Sequence, residues 1–241
     1  MKYILITGAT SGIGLETARL FASQGHHLAI CGGHHKKNFE RTVEELSSYS
    51  GQLLSYFGDC KNPVFVQEMV TDILNHFPKL DAVINNAAVS YIGLLTDMTL
   101  EEWDHVIGTN LNSLFYICRL VIPSMVHEKA GRIINISSMW GESGASCEVA
   151  YSASKGAVNS FTKALAKELA PSNIQVNAIS FGTIDTRMNQ CFSEEEKTAL
   201  AEDIPAGRFG TPMEAARLIA QLLEAPDYLT GQVIRMDGGY L

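Results

Sequence analysis

Short apolar runs recur along the chain, each followed by a longer stretch whose apolar residues return at helical spacing. Residues 2–7 form the first run, and 12–24 show helical spacing through Ile13, Thr17, Leu20 and Phe21. The alternation continues with a strand at 27–31, an amphipathic segment at 36–49 and a strand at 52–57. A helix at 63–76 follows, with Pro63 suited to its first position. A strand at 81–85 precedes a long helix at 100–126, which Thr99 and Glu102 open as a capping box. Strand 132–137, helix 151–169, strand 174–179, helix 212–223 and strand 232–236 complete the series.

Strands that are apolar almost throughout, alternating with helices, predict a parallel sheet covered on both faces. The fold class is therefore α/β, a doubly wound Rossmann sheet, with ligands beyond the carboxyl ends of its strands. No linker, repeat or low-complexity tract divides the chain, so 1–241 reads as a single domain. One stretch departs from the pattern. Residues 184–208 are polar, include Ser193, Glu194, Glu195, Glu196 and Lys197, and sit between two sheet elements. They read either as a solvated surface helix or as a substrate lid between the sixth strand and the last helix.

Composition narrows the function classes. With 46% hydrophobic and 18% charged residues, a chain of 241 residues supports its own core. A net charge of −8 argues against a nucleic-acid partner, which needs a basic footprint. The opening apolar run is too short for a membrane span, and no signal segment is expected. Cys31, Cys60, Cys118, Cys147 and Cys191 lack paired spacing and read as reduced thiols of a cytoplasmic protein.

The first strand runs into Thr7-Gly8-Ala9-Thr10-Ser11-Gly12-Ile13-Gly14 and then a helix. Glycines suit such a turn because side chains would keep a pyrophosphate from the backbone amides and the positive helix end. After the second strand comes Cys31-Gly32-Gly33-His34-His35-Lys36-Lys37. An acidic residue at that point holds a ribose 2′-hydroxyl, whereas a basic one accommodates a 2′-phosphate. No carboxylate is present, so Gly33 and His34 are placed at the cofactor and NADP is favoured over NAD.

Hydride transfer to a carbonyl requires polarisation of its oxygen, a proton, and an acid of workable pKa. Ser138, at the end of the fifth strand, can hydrogen-bond the oxygen. Tyr151 can donate the proton, and Lys155 lies one helical turn beyond on the same face, where a cation would lower the phenol pKa. Ser137 is the alternative serine.

The spacing Gly-x-x-x-Gly-x-Gly resembles that of the short-chain dehydrogenase/reductase family. Asn85-Asn86-Ala87-Ala88, Asn110, Ser138, Tyr151-Ser-Ala-Ser-Lys155 and Asp237-Gly238-Gly239 resemble its further motifs, in order along the chain. Ala88 stands where that family has glycine. The resemblance implies that Gly8, Ser11, Gly12, Ile13 and Gly14 line the pyrophosphate and that Asp59 and Cys60 meet the adenine. It places Asn86, Ala87 and Ala88 at the adenosine ribose, Tyr151 and Lys155 at the nicotinamide ribose, and Ile184 and Thr186 at the carboxamide. It also implies that Asn110 completes a proton relay from Lys155, that no metal takes part, and that helices 100–126 and 151–169 pair in a homotetramer. Apolar residues around the first of these, such as Leu111, Leu114, Phe115, Ile117 and Leu120, fit burial on two sides.

Length, motif spacing and the run Arg132-Ile-Ile-Asn-Ile-Ser-Ser138 resemble the 3-oxoacyl-[acyl-carrier-protein] reductases, which grip an acidic carrier with basic residues. Lys129 and Arg132 are the candidates here, and Ser172 stands where relatives carry arginine. The stretch from Ser138 through Trp140, Gly141, Gly144, Cys147 and Glu148 to Tyr151 also resembles reductases of the aminopentanone modification on elongation factor P. In that reading Glu148 would attract an ammonium group. In either reading Met139 and Trp140 form an apolar wall, and Phe181-Gly182 replaces the family's Pro-Gly before the lid. A non-catalytic NADP-binding regulator is the alternative from another class.

Overall fold

A computed structural model describes residues 1–33, 35–189 and 193–241. In chain order it contains β1 (Tyr3–Thr7), α1 (Gly12–Ser23), β2 (His27–Gly32), α2 (Lys36–Leu46) and β3 (Leu53–Phe57). Then come α3 (Pro63–His76), β4 (Ala82–Asn85), α4 (Leu100–Ile107), α5 (Ser113–Glu128) and β5 (Gly131–Ser138). A short α6 (Trp140–Ser143), α7 (Val149–Leu169), β6 (Ile174–Phe181), α8 (Glu194–Glu202), α9 (Pro212–Leu223) and β7 (Val233–Met236) complete the order.

All seven strands join one parallel sheet in the order β3-β2-β1-β4-β5-β6-β7. Strand side chains alternate between its faces, because successive Cβ atoms point opposite ways. Leu5, Ala29, Val83, Ile133 and Val176 turn toward α3, α5 and α7, where they join Ile73, Val121 and Val158 in one core. Ile4, Ile6, Leu28, Ile30, Ile84 and Ile134 face the other way and pack with Phe21 of α1 and Ile219 of α9. Both faces are dry, which is why the strand sequences are apolar throughout rather than alternating. Chain order reverses between β1 and β4, and the crevice at such a switch point is where ligands bind.

The structure refines several boundaries. Strands β5 and β6 each run further toward the crevice than their apolar residues indicated, ending at Ser138 and Phe181. Helix α7 starts at Val149 rather than at residue 151. The long helix expected at 100–126 is interrupted by one π-helical turn over Gly108–Asn112 and then runs to Glu128. A π turn carries one extra residue, and it is found preferentially at functional sites. Here it turns Asn110 inward, where Oδ1 accepts from Val89 N (2.8 Å) and Nδ2 donates to Val89 O (2.9 Å) and Ser154 Oγ (3.0 Å). The stretch 100–128 is apolar enough to cross a bilayer, yet half of its most apolar part is buried in the domain, as for a core helix. Of the apolar residues expected to be covered all round, Leu114 and Ile117 are buried but Phe115 is exposed.

The polar excursion after β6 has a closed base. Ile184 and Gly210 pair as a parallel bridge, Asp185 N donates to Gly210 O (2.8 Å), and Gly210 N donates to Thr183 O (2.9 Å). Its two readings divide within the segment. Helix α8 has no buried residue and is held by a Ser193–Glu196 capping box, so it is a solvated surface helix. Ile184, Thr186, Arg187, Met188 and Asn189 line the crevice, and α8 itself turns Leu200 toward it.

Helix α7 is docked on the sheet by a buried polar chain. Asn85 Nδ2 donates to Asn135 Oδ1 (2.9 Å), Asn135 Nδ2 donates to Thr162 Oγ1 (2.9 Å), and Thr162 Oγ1 donates to Val158 O (2.8 Å). Removing the middle member takes the oxygen acceptor from Asn85 Nδ2 and the donor from Thr162 Oγ1 and leaves a cavity, and an unmet buried polar group costs about 1–3 kcal/mol. Asn135→Ala is therefore expected to lower the unfolding free energy in urea by roughly 2–4 kcal/mol. A loss below about 1 kcal/mol would show that the chain does not hold α7.

Candidate active site

A cleft of about 680 Å³ opens beyond the carboxyl ends of the strands. One end lies against the glycine loop and the ends of β2 and β3, the other against the end of β5 and the start of α7. Gly8 begins the glycine loop with φ +64°, and a Cβ there would press on Asn86 Nδ2 and the Ala87 backbone. Asn86 holds the loop from β4: Nδ2 donates to Thr7 O (2.9 Å) and Gly8 O (3.1 Å), while its own amide donates to Thr7 Oγ1 (3.0 Å). Helix α1 has no side-chain cap at Ser11 and no acidic residue in its first turn. Its amides and positive end therefore remain available to an anion in the cleft.

Gly8, Ser11, Gly12, Ile13, Gly33, Asp59, Cys60, Asn86, Ala87, Ala88, Ile184 and Thr186 all line the cleft, as do Ser138, Tyr151 and Lys155. His34 lies outside the described residues. Two expected residues stand behind the wall. Gly14 was expected on the pyrophosphate side, but it packs against Gly8 O and Asn86, where its missing Cβ lets α1 approach the loop. Asn110, expected to complete a proton relay from Lys155, directs its side chain to Val89 and Ser154. It anchors the loop after β4 to α7. Asp59 caps its own turn, accepting from Lys61 N (2.9 Å), with Lys61 Nζ 3.6 Å from its other oxygen. Cys31 and Cys60 meet at 3.3 Å, and the contact together with burial holds the Cys31 thiol well above its ordinary pKa.

At the other end, β5 delivers Ser138 and α7 delivers Tyr151 and Lys155. Their side chains are almost fully buried. Trp140 N donates to Ser138 Oγ (3.2 Å), and the Ser138 hydroxyl lies near enough to the Tyr151 phenol to act on its pKa. Ser137 instead donates to the Lys155 backbone carbonyl (3.3 Å), so the two serines have different partners. Lys155 Nζ donates to Ile136 O (2.7 Å) and lies 5.6 Å from the Tyr151 ring centre.

A Tyr151 pKa lowered by Lys155 was expected, and the structure shows the reverse balance. Burial pushes the Tyr151 phenol up to about 12, against the opposing effect of the nearby Ser138 hydroxyl, and the Glu148 charge adds to the rise. Burial likewise pulls the Lys155 ammonium down to about 8. Each charge is penalised by the loss of water, and the ammonium is directed at a backbone carbonyl rather than at the phenol oxygen. Tyr151 is thus protonated at neutral pH and is able to act as an acid.

The wall around this group is Met139 and Trp140, and the start of the short α6 was not apparent in the sequence. Gly141 packs so closely on α7 that a Cβ would sit 2.6 Å from the Lys155 carbonyl carbon. Arg235 of β7 pairs with Glu142 (2.6 Å), and Tyr240 meets the Trp140 ring edge-on at 5.6 Å, so the C-terminal segment buttresses the wall. Glu148 also faces the cleft.

Two expectations about a carrier protein change. Arg132 is the second residue of β5 and Ser138 its last, six residues and roughly 20 Å apart. Arg132 is bound to Ala225 O and Asp227 (2.6 and 2.8 Å), and Lys129 caps α5 at the same end of the sheet. Neither lies at the cleft mouth of this chain. Sequence reasoning missed Arg187, which meets His35 of the basic run after β2 across the rim of the cleft, with Nη2 2.6 Å from Nε2. The only sequence signal of Arg187 was its position, one residue past Thr186.

Residues 2–197 match the family model described as short chain dehydrogenase. The 3-oxoacyl-[acyl-carrier-protein] reductase of Thermotoga maritima is 38% identical over 239 residues, covering 99% of this chain and 97% of that one. The uncharacterized oxidoreductase YmfI of Bacillus subtilis is 37% identical over 242 residues, with 99% and 98% covered. A crystal structure of an actinorhodin polyketide ketoreductase variant with NADPH superposes with a TM-score of 0.92 at 31% identity, covering 99% and 97% of the two chains. The chain belongs to the short-chain dehydrogenase family and is an NAD(P)-dependent oxidoreductase acting at C=O and CH–OH groups.

Proposed function

We propose that the chain is an NADPH-dependent reductase of a 3-oxoacyl thioester, the acyl group being carried as a fatty-acid or polyketide-type chain. The observation that carries this reading is the buried Ser138–Tyr151–Lys155 cluster at the floor of a cleft whose far end has the cradle for a dinucleotide. The uncapped start of α1 and the Cβ-free approach at Gly8 fit a pyrophosphate there. When bound, the dihydronicotinamide supplies a hydride. The protein does the remainder. Ser138 Oγ hydrogen-bonds the ketone oxygen, Tyr151 gives that oxygen its proton, and Lys155 restores the balance as phenolate forms, its positive charge stabilising the anion. Met139 and Trp140 exclude water from the reacting carbon.

The relatives named for 3-oxoacyl reduction and polyketide ketoreduction support the substrate class. We place the enzyme in the cytoplasm, as a single domain with the segment from Ile184 as its lid, and as a homotetramer, in keeping with the exposed Phe115 of α5. A second reading rests on Glu148. This carboxyl lines the cleft, has no hydrogen bond or ion pair among the described residues, and is held above its ordinary pKa by burial. A cationic group on the substrate would relieve it, which favours an amino-ketone.

Oxidation of NADPH and of NADH with an acetoacetyl thioester and with an amino-ketone separates these readings. Turnover of the thioester with NADPH, well above that with NADH, is expected. Faster reduction of the amino-ketone would favour the second reading. Nucleotide binding without turnover of either ketone would indicate a regulator instead.

Lys155 gives a pH prediction for the nucleotide-free protein. Its folded pKa lies below its unfolded value, about 8 against 10.5, so between those values the unfolded chain binds more protons. Stability from this group therefore rises with pH through that window, recovering a cost on the order of 3 kcal/mol that is fully present below pH 8. Urea unfolding should show wild type gaining on Lys155→Met as pH climbs through the window. Parallel pH curves for the two proteins would show that the ammonium is not desolvated.

A further inference from the structure

The end of the cleft nearest β2 poses a problem of charge. An NADP 2′-phosphate needs a cation there; the end of β2 and the turn after it offer Gly32 and Gly33, and His34, next in the chain, lies outside the described residues. Gly33 has no room for a side chain, since a Cβ would collide with Gly58 O. The glycine loop contributes Thr10 and Ser11, which are uncharged. Lys36 and Lys37 begin α2 but do not line the cleft.

Among the described residues, a cation reaches this end of the cleft from the far side of the sheet order. Arg187 lies in the segment after β6, and its guanidinium reaches His35 at the start of α2, 2.6 Å from Nη2 to Nε2. An arginine carries only donors, so His35 Nε2 accepts and its Nδ1 bears the proton. Both residues line the cleft, with Thr10, Gly33 and Asn38 beside them. Thr186 lies over Gly12, 3.1 Å from where a Cβ would be, so the strap passes above the glycine loop. Helix α2 adds to the field, having no side-chain cap and no acidic residue in its first turn. Asp59 and Glu148 are the only carboxylates lining the cleft among the described residues, and Asp59 is engaged with Lys61.

We infer that Arg187, positioned by His35, is the phosphate-binding cation for the adenosine 2′-phosphate, so that the segment closing over the cofactor also selects NADP over NAD. The inference rests on the NADPH reading above and deepens it. A guanidinium binds a phosphate dianion through paired N–H donors, and His35 Nδ1–H is a further donor beside it. NADH, lacking the phosphate, leaves the Arg187–His35 contact as it stands. Closure of the strap is then favoured by NADPH to a degree that NADH does not match.

The test compares the full-length wild type with Arg187→Ala, titrating each with NADPH and NADH by nucleotide fluorescence and cleaving each with protease in the presence of either nucleotide. Arg187→Ala is expected to weaken NADPH by about tenfold or more while NADH shifts by less than about twofold, because a charged phosphate contact is lost from one ligand only. NADPH should protect the chain at Ile184–Asn189 better than NADH in wild type, and the two should protect equally in the variant. Arg187→Lys, which keeps the charge but not the fork, should fall between. Equal wild-type affinity for the two nucleotides would overturn the NADPH reading itself. A wild type that prefers NADPH, with the preference unchanged in Arg187→Ala, would overturn the Arg187 assignment alone.

Discussion

The site depends on keeping an ammonium out of water. Lys155 is buried at the junction of β5 and α7, held by the Ile136 carbonyl at 2.7 Å, and its pKa is pulled down to about 8. Burial of a lone charge is costly, so the surroundings have to be fixed closely enough to satisfy it. Three features do so. The Asn85–Asn135–Thr162 chain seats α7 on the sheet, Gly141 lets α6 lie directly on the Lys155 backbone, and Ser137 donates to its carbonyl. The same burial keeps the Tyr151 phenol protonated, so a single desolvated pocket provides both the acid and the cation that stabilises its conjugate base.

The sheet brings this pocket to the cofactor cradle. Parallel strands place all their carboxyl ends on one side, and the reversal between β1 and β4 opens a crevice between two halves. The glycine loop and β2 serve one half, while β5, β6 and α7 serve the other. Asn86, in the wall of the cleft, and Asn110, behind it, brace the two together. Asn86 holds the glycine loop, and Asn110 fixes the loop after β4 to Ser154 of α7. Positions that mark the family as motifs thus act here as braces for the shape of the crevice.

Much of this was legible in the sequence because it depends on local pattern. Unbroken apolar strands encode a sheet buried on both faces, glycine spacing encodes a turn without side chains, and Tyr151 and Lys155 share a helix face by their separation alone. What was not legible depends on distance or on solvent. The π turn at Gly108–Asn112 follows from Asn110 finding partners on a distant loop. Gly14 behind the loop, and Arg132 at the far end of β5 from Ser138, are matters of direction that motif order does not reveal. The pKa of Tyr151 was misjudged because spacing shows that Lys155 is near but not that both are dry. The Arg187–His35 contact joins residues 152 positions apart and had no local signature.

The central claim is that Tyr151 is the acid of a carbonyl reduction. Single-turnover reduction of an acetoacetyl thioester by Tyr151→Phe, with NADPH already bound, tests it most directly. The phenylalanine keeps the ring and its packing and removes only the hydroxyl. Cofactor affinity within a few-fold of wild type, with a chemical step slowed by about a hundred- to ten-thousandfold, is the expected result for loss of a general acid. A chemical step within a few-fold of wild type would contradict the account.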